Sequence, residues 1–323
     1  MLDLKGYGKA LRSLQTALSD PEQRFCTATL AATSILHRVE VFYDLSRGTN
    51  SMTHVRGIVS IMTQMGPPTL NDELDIQLAL DNYGAVMNYC MVSEQDCFYG
   101  TEPWADAINT ALDAGAVELD FAATCFRLCV KLASWPTLNN QLRRLYADPF
   151  NPEAEMLAHD IVGRTVALAA DLQIMDEART NECYDRGEIV EFIDPDSPFL
   201  ARYEFSDLPT AWCFAYISMS RIVINRIMEH AMRFLGLHDP TMDILNEEMS
   251  RRIWLTYPYI IRYRTLGSTA LVFPLKCAYE SAGPVERCAI MNMLADLEGY
   301  KDQKFHKRQT VQLEMEVKIV QVR

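Results

Sequence analysis

The sequence lacks the residue patterns that mark metal, redox and phosphate-binding sites. Its nine cysteines stand singly, with no Cys-x-x-Cys pair, which excludes a zinc ribbon and a redox dithiol. The six histidines never stand at the spacing of metal ligands. The acidic run Asn71–Asp75 is spaced for a helix start rather than for magnesium, and Gly6-Tyr7-Gly8 lacks the third glycine and the lysine of a phosphate loop. We therefore expect no metal and no cofactor.

Positive charge and long apolar runs are also scarce. The chain of 323 residues has 30 Lys and Arg against 43 Asp and Glu, a net charge of −13, which argues against direct binding of nucleic acid. The most apolar segments, 211–224 and 269–275, are too short or too interrupted to span a membrane. The first residues lack the apolar run of a signal peptide, and the scattered thiols suit a reducing compartment. These features predict an intracellular protein, cytoplasmic or nuclear.

Helical periodicity dominates what is present. From 25 to 43, apolar residues recur at three- and four-residue steps, and similar segments follow as far as residue 299. Glycine and proline separate these segments, and almost nothing alternates with period two. The pattern predicts an all-α fold, an array of about ten to twelve packed helices that forms a single domain over 1–304.

Two stretches depart from the helical pattern. Residues 178–206 are polar and rich in turn residues, which predicts a long loop that is either a lid or a disordered linker. In the tail, 305–323, apolar and polar residues alternate from Val311 to Ile319, which is the pattern of a β-strand. A lone strand needs a partner, so the tail predicts pairing with another segment, a homodimer or a protein partner.

One helix combines an apolar surface with a polar stripe. The segment 211–235 is apolar nearly all round in its first half, which predicts a central, buried helix. Ser218, Arg221, Asn225 and Glu229 recur along it at three- and four-residue steps. The stripe is either a solvated face with its own side-chain network or the polar wall of an interior cavity.

A proline interrupts a second helical segment that is rich in aromatic residues. Pro258 removes a backbone hydrogen bond and is expected to kink the helix and open space beside it. Trp254, Tyr257 and Tyr259 flank the proline. These rings either line a hole or belong to the packed core.

Two separated blocks of sequence resemble the regulatory domain of fungal zinc-cluster transcription factors. The first block runs from Tyr7 to Gln15 and on to His54-Val55-Arg56-Gly57, and the second from Ile253 through Pro258-Tyr259 to Leu294. The resemblance spans roughly 7–300 and implies an all-α array that senses small molecules or partners. In that family a six-cysteine zinc module precedes the array and reads DNA, whereas here no cysteine occurs before Cys26.

Two hypotheses for function follow. In the first, a stand-alone protein of fungal secondary metabolism binds an apolar small molecule, such as a polycyclic terpenoid or polyketide, and catalyses a cofactor-free cyclisation, isomerisation or pericyclic (Diels–Alder-like) step. In the second, a regulatory protein acts through protein partners without binding DNA. For the first, the predicted catalytic residues are Arg221, Tyr216 and Tyr257, and the predicted ligand-binding residues are Ser218, Asn225, Trp212, Trp254 and Tyr259.

Overall fold

The fold is all-α, as the periodicity predicted, and it contains one small β-hairpin that the periodicity did not predict. The computed structural model describes residues 3–43, 51–69, 72–113, 120–263 and 270–299. The predicted strand in the tail, 305–323, lies outside the described residues. Backbone contacts divide the chain into two compact units, Met1–Thr137 and Leu138–Arg323, where the sequence predicted one domain over 1–304. A helical period shows which face of a helix is buried but not which helices pack together, so this division was not predicted.

The first unit is built from amphipathic helices and one 3₁₀ turn. Its elements are α1 (Leu4–Ser19), α2 (Thr27–Tyr43), α3 (Ser51–Met65), α4 (Glu73–Ser93), a 3₁₀ turn at Phe98–Gly100, α5 (Glu102–Asp113) and α6 (Asp120–Leu132). The acidic run that starts α4 caps the helix as expected, because the Asp72 carboxylate accepts hydrogen bonds from the backbone N–H groups of Leu74 and Asp75.

The sequence did not predict one helix, α7 (Trp135–Ala147), within which the boundary between the units falls. Its second residue is Pro136, one of the prolines expected to separate helical segments. Proline is tolerated in the first turn of a helix, because the backbone N–H that it lacks has no partner there. The proline therefore lies at the start of a helix here.

The second unit surrounds one long buried helix. Its elements are α8 (Ala154–Asp185), β1 (Ile189–Ile193), β2 (Ala201–Phe205), α9 (Leu208–Phe234), α10 (Thr241–Ile261), α11 (Val272–Ala278) and α12 (Pro284–Gly299). Helix α9 packs against α8, α10 and α11 and is buried along most of its length, as its apolar surface predicted. Among the described helices of either unit, none is long and apolar enough to cross a membrane.

The prediction of a long loop over 178–206 was wrong. Residues up to Asp185 complete α8, and β1 and β2 form an antiparallel hairpin in which Ile189 pairs with Phe205 and Ile193 with Ala201. The buried rings of Tyr203 and Phe205 pack edge-on against Phe214 of α9. The strands are only five residues long and flank the turn-rich run Asp194–Pro198, so the composition of the whole segment resembled a loop. Ring contacts with a later helix hold the hairpin in place.

Candidate functional site

The predicted polar stripe of α9 lies in the interior, and its side chains have protein partners. Ser218 donates a hydrogen bond to the carbonyl of Phe214 at 2.8 Å, within the same helix. Asn225 donates from Nδ2 to Oδ1 of Asn246 on α10 at 3.2 Å, and both amides are buried. These bonds satisfy polar groups that burial would otherwise leave at a cost of about 1–3 kcal/mol each. The two side chains therefore contribute to helix packing.

Arg221 belongs to a buried cluster of charges between α8, α9 and α10. Its Nη1 lies 2.5 Å from Oδ2 of Asp176, whose side chain is 2% exposed. Arg252 contacts both oxygens of the same carboxylate, at 3.1 and 3.0 Å, and Thr180 donates to it at 2.9 Å. The guanidinium of Arg252 also lies 5.4 Å from the ring centre of Phe214. One buried carboxylate thus pairs with both arginines, and Glu248 supplies Arg252 with a second negative charge at 3.2 Å. Pairing of this kind is the condition under which charges are tolerated in an interior.

The predicted aromatic residues are engaged in the packing of the second unit. The Trp254 ring stacks on Phe199 with centres 5.3 Å apart, and among the described residues its buried indole N–H has no acceptor. Tyr259 packs edge-on against Phe205 at 5.2 Å, and Tyr216 donates to the carbonyl of Ala270 at 3.1 Å. Trp212 is half-buried on α9.

Tyr257 differs from the other predicted residues because it lines an open groove. The groove has a volume of about 780 Å³ and lies between α10, the turn of the hairpin and one face of α12. Pro258 comes in the last turn of α10, which ends at Ile261, so the proline is near the helix end and not at its middle. The groove is lined by Pro198, Tyr257, Pro284, Val285, Cys288, Ala289, Asn292, Met293 and Asp296.

The groove combines an apolar floor with one polar end. Val285 is exposed and Met293 is buried, and both side chains contribute to the apolar lining of the groove. At the polar end, the Tyr257 hydroxyl donates to Oδ2 of Asp296 at 2.6 Å. Cys288 is an exposed free thiol in the same wall. Small-molecule sites typically have a volume of about 300–1,000 Å³, an apolar lining and a few placed polar groups. This solvent-open groove lies within that range of volume and has an apolar lining with one polar pair.

A polar cluster in the first unit was not among the predicted site residues. Glu40 is buried, and its Oε1 accepts a hydrogen bond from the hydroxyl of Tyr7 and lies 3.0 Å from Nε2 of His54. Burial and this carboxylate raise the pKa of Tyr7 above its usual value, and burial lowers the pKa of His37 nearby. The cluster joins α1, α2 and α3. The one feature of the sequence that could have predicted the cluster is the presence of a glutamate and a histidine on two consecutive helices.

The described residues contain no group of three or more histidine, cysteine, aspartate or glutamate side chains arranged to hold a metal ion. The nine cysteines are free thiols, most of them buried. No protein-family model, curated protein or solved structure matches the chain. The resemblance to the regulatory domain of zinc-cluster factors therefore stays a prediction.

Proposed function

We propose that this protein binds an apolar small molecule in the groove between α10, α12 and the hairpin turn. The observation that supports the proposal is the groove itself, which offers about 780 Å³ beside an apolar wall. Burial of apolar ligand surface there contributes about 25 cal/mol for each Å² removed from water. The Tyr257–Asp296 pair supplies a donor and an acceptor at one end, so a ligand with a single carbonyl or hydroxyl group fits best.

We extend the proposal to a cofactor-free reaction of the bound ligand, a cyclisation or an isomerisation. The hydroxyl of Tyr257 donates to Asp296 in the free protein, and a ligand carbonyl at the same end of the groove would compete for that proton donor. Such a donor stabilises negative charge that develops on the carbonyl oxygen. Arg221 and Tyr216 do not line the groove, and Asp176 and a backbone carbonyl engage their donor groups. The catalytic proposal therefore rests on Tyr257.

Binding is tested with Nile red, a neutral apolar dye whose fluorescence rises in apolar surroundings. Asn292 is exposed in the groove wall, and Asn292→Trp fills the groove with an indole ring. We expect this substitution to weaken dye binding by about tenfold or more, since the ring displaces the dye from apolar surface. Ala170→Trp is the matched control, because Ala170 is exposed on α8 and does not line the groove. Equal affinities in the two variants would contradict the proposal.

A second readout uses the thiol in the groove wall. Cys288 is exposed and should react rapidly with a maleimide reagent, and bound dye should slow that reaction. Cys26, a half-buried thiol in the first unit, serves as the internal reference and should react at the same rate with and without the dye. Mass spectrometry of the labelled peptides measures both rates in one sample. Dye binding that leaves the Cys288 rate unchanged would place the dye elsewhere.

Catalysis is tested by incubating the protein with carbonyl-bearing terpenoids and polyketides, followed by mass spectrometry and analysis of product stereochemistry. Tyr257→Phe keeps the ring and removes the hydroxyl. We expect this variant to keep its affinity for Nile red and to lose about 10²–10³-fold in conversion rate, the usual effect of removing one such donor. A product distribution that matches the buffer control for each substrate would refute catalysis and leave the binding proposal standing.

A further inference from the structure

One edge of the hairpin presents unpaired backbone groups. The backbone N–H of Ser206 donates to the Glu188 carbonyl, and the backbone N–H of Asp194 donates to the Leu200 carbonyl. In the register of this hairpin, the even-numbered residues of β1 are therefore the ones that form backbone hydrogen bonds with β2. In an antiparallel ladder the bonded positions alternate, and the backbone groups of Glu191 and Ile193 therefore point away from β2. Among the described residues, β1 pairs with β2 alone.

The same edge carries exposed apolar side chains. Val190 and Phe192 are 39% and 45% exposed on the outer face, and Ile193 is 88% exposed at the end of the strand. An exposed edge with apolar side chains is a template for pairing with another strand, which proteins usually block or cover. The edge is therefore suited to receive one more strand.

The tail has the sequence that such an edge would accept. Val311, Leu313, Met315, Val317 and Ile319 alternate with polar residues, so an added strand would present one apolar face beside Val190 and Phe192. Lys307, Arg308 and Arg323 flank this alternating segment, which itself contains two glutamates and one lysine, whereas the segment 185–194 contains four acidic residues and one arginine. Charge attraction to the hairpin therefore comes from the residues on either side of 311–319 and not from the strand itself.

The tail of the same chain can reach the edge. Helix α12 lines the groove together with Pro198 of the hairpin turn, so α12 lies beside the hairpin and ends at Gly299. The eleven residues 300–310 span up to about 36–40 Å when extended, about twice the length of β1. A tethered segment also has an effective concentration near the millimolar range, which favours the chain's own tail over a second copy.

We propose that residues 311–319 of this chain add to the free edge of β1 as a third strand. The interaction is β-strand addition, in which backbone hydrogen bonds supply affinity and alternate side chains supply register. It does not depend on the groove or on any ligand.

Hydrogen–deuterium exchange of the full chain tests the proposal. Amides of 311–319 that bond to β1 should exchange at least about tenfold more slowly than in the unfolded chain, because exchange then requires the strand to open. The amides of Glu191 and Ile193 should be protected together with them. Exchange of the tail at the unfolded rate would overturn the proposal.

A pair of substitutions at one position separates edge pairing from other effects. Glu191→Pro removes an N–H that points away from β2, so it blocks the added strand while the bonds between β1 and β2 persist. Glu191→Ala keeps the N–H and, like the proline, removes the 2.6 Å contact between Glu191 and Arg251. We expect the tail to lose its protection in the proline variant and to keep it in the alanine variant. The Phe192 and Glu204 amides report whether the hairpin stays folded.

A substitution in the tail gives a second test that leaves the hairpin sequence unchanged. Met315→Pro should release both the tail and the Glu191 amide to rapid exchange, whereas Met315→Ala should release neither. Tail protection that survives Glu191→Pro in a folded hairpin would overturn the proposal, because the tail would then pair elsewhere. Protection that rises with protein concentration, with a dimer mass by light scattering, would assign the edge to a second copy and also overturn it.

Discussion

Substitution of Asp176 by asparagine tests whether the buried charge cluster organises the second unit. Asp176→Asn keeps the shape of the side chain and removes the negative charge that faces Arg221 and Arg252. Arg252 retains a contact with Glu248 at 3.2 Å. Among the described residues, the guanidinium of Arg221 has Asp176 as its single ion-pair partner, so its charge would be left buried and uncompensated.

The structure sets the size of the effect. The side chain of Arg221 is 9% exposed, and removing one partner of a buried ion pair typically costs about 3–5 kcal/mol. We expect a loss of that size in the free energy of unfolding. For a unit of 150–250 residues, each kcal/mol lowers the unfolding temperature by about 2–4 °C, which corresponds to a fall of about 6–20 °C.

Urea and thermal unfolding followed by circular dichroism measure the loss. Glu177→Gln is the control, because Glu177 is the next residue of α8 and is exposed, and its substitution should change stability by less than about 0.5 kcal/mol. Replacing the whole cluster, with Asp176→Leu, Arg221→Met and Arg252→Met together, should cost less than Asp176→Asn alone, since no charge is then left buried. A loss below about 1 kcal/mol in Asp176→Asn would refute this account of the cluster.

Three further predictions concern backbone and titrating groups. An added Cβ at Gly100 would lie 2.9 Å from the Cβ of Ala133, so Gly100→Ala should lower the free energy of unfolding in urea by about 1–3 kcal/mol. Ala133→Gly in the same chain should recover part of that loss, whereas losses that simply add would contradict the contact. Leu200 has a φ of +57° in the hairpin turn, a backbone conformation that glycine adopts without the strain of a Cβ. Leu200→Gly should therefore stabilise the protein by up to about 1 kcal/mol. An unchanged midpoint of urea unfolding would show that the backbone of Leu200 is not strained. Burial, and to a smaller extent the charge of Arg233, lowers the pKa of His230. As pH falls below about 6.5, the unfolded chain therefore takes up a proton at this position before the folded chain does, and the free energy of unfolding decreases. His230→Gln should therefore lose less stability between pH 7 and pH 5 than the parent, and equal losses would exclude His230 as a source.

Most of the helical body, though not α7, could be predicted because most of its helices carry their own periodic signal. The burial of α9 followed from apolar residues around its circumference, and the Asp72 cap followed from acidic residues at a helix start. The hairpin could not be predicted in the same way. Its strands are five residues long, and the buried positions Tyr203 and Phe205 are defined by rings on α9 and α10.

The candidate site depended even more on distant residues. The stripe on α9 left two alternatives open, a solvated face or a cavity wall, and the structure instead buries Arg221 against Asp176, 45 positions earlier in the chain. Tyr257 was a candidate because of its neighbours in sequence, yet its place in the groove depends on Asp296, 39 positions later, and on Pro198. No local pattern reports such pairs, because helix packing brings them together.

The amino-acid order alone determined that this chain forms a series of helices and that α9 is buried, because helix formation and an apolar circumference arise from propensities and periods within about twenty residues. The tertiary structure alone decided which polar side chain meets which, and where the surface opens into a groove. Those outcomes depend on how α8, α9, α10 and α12 pack, and packing is set by the summed burial of apolar surface and not by any single segment.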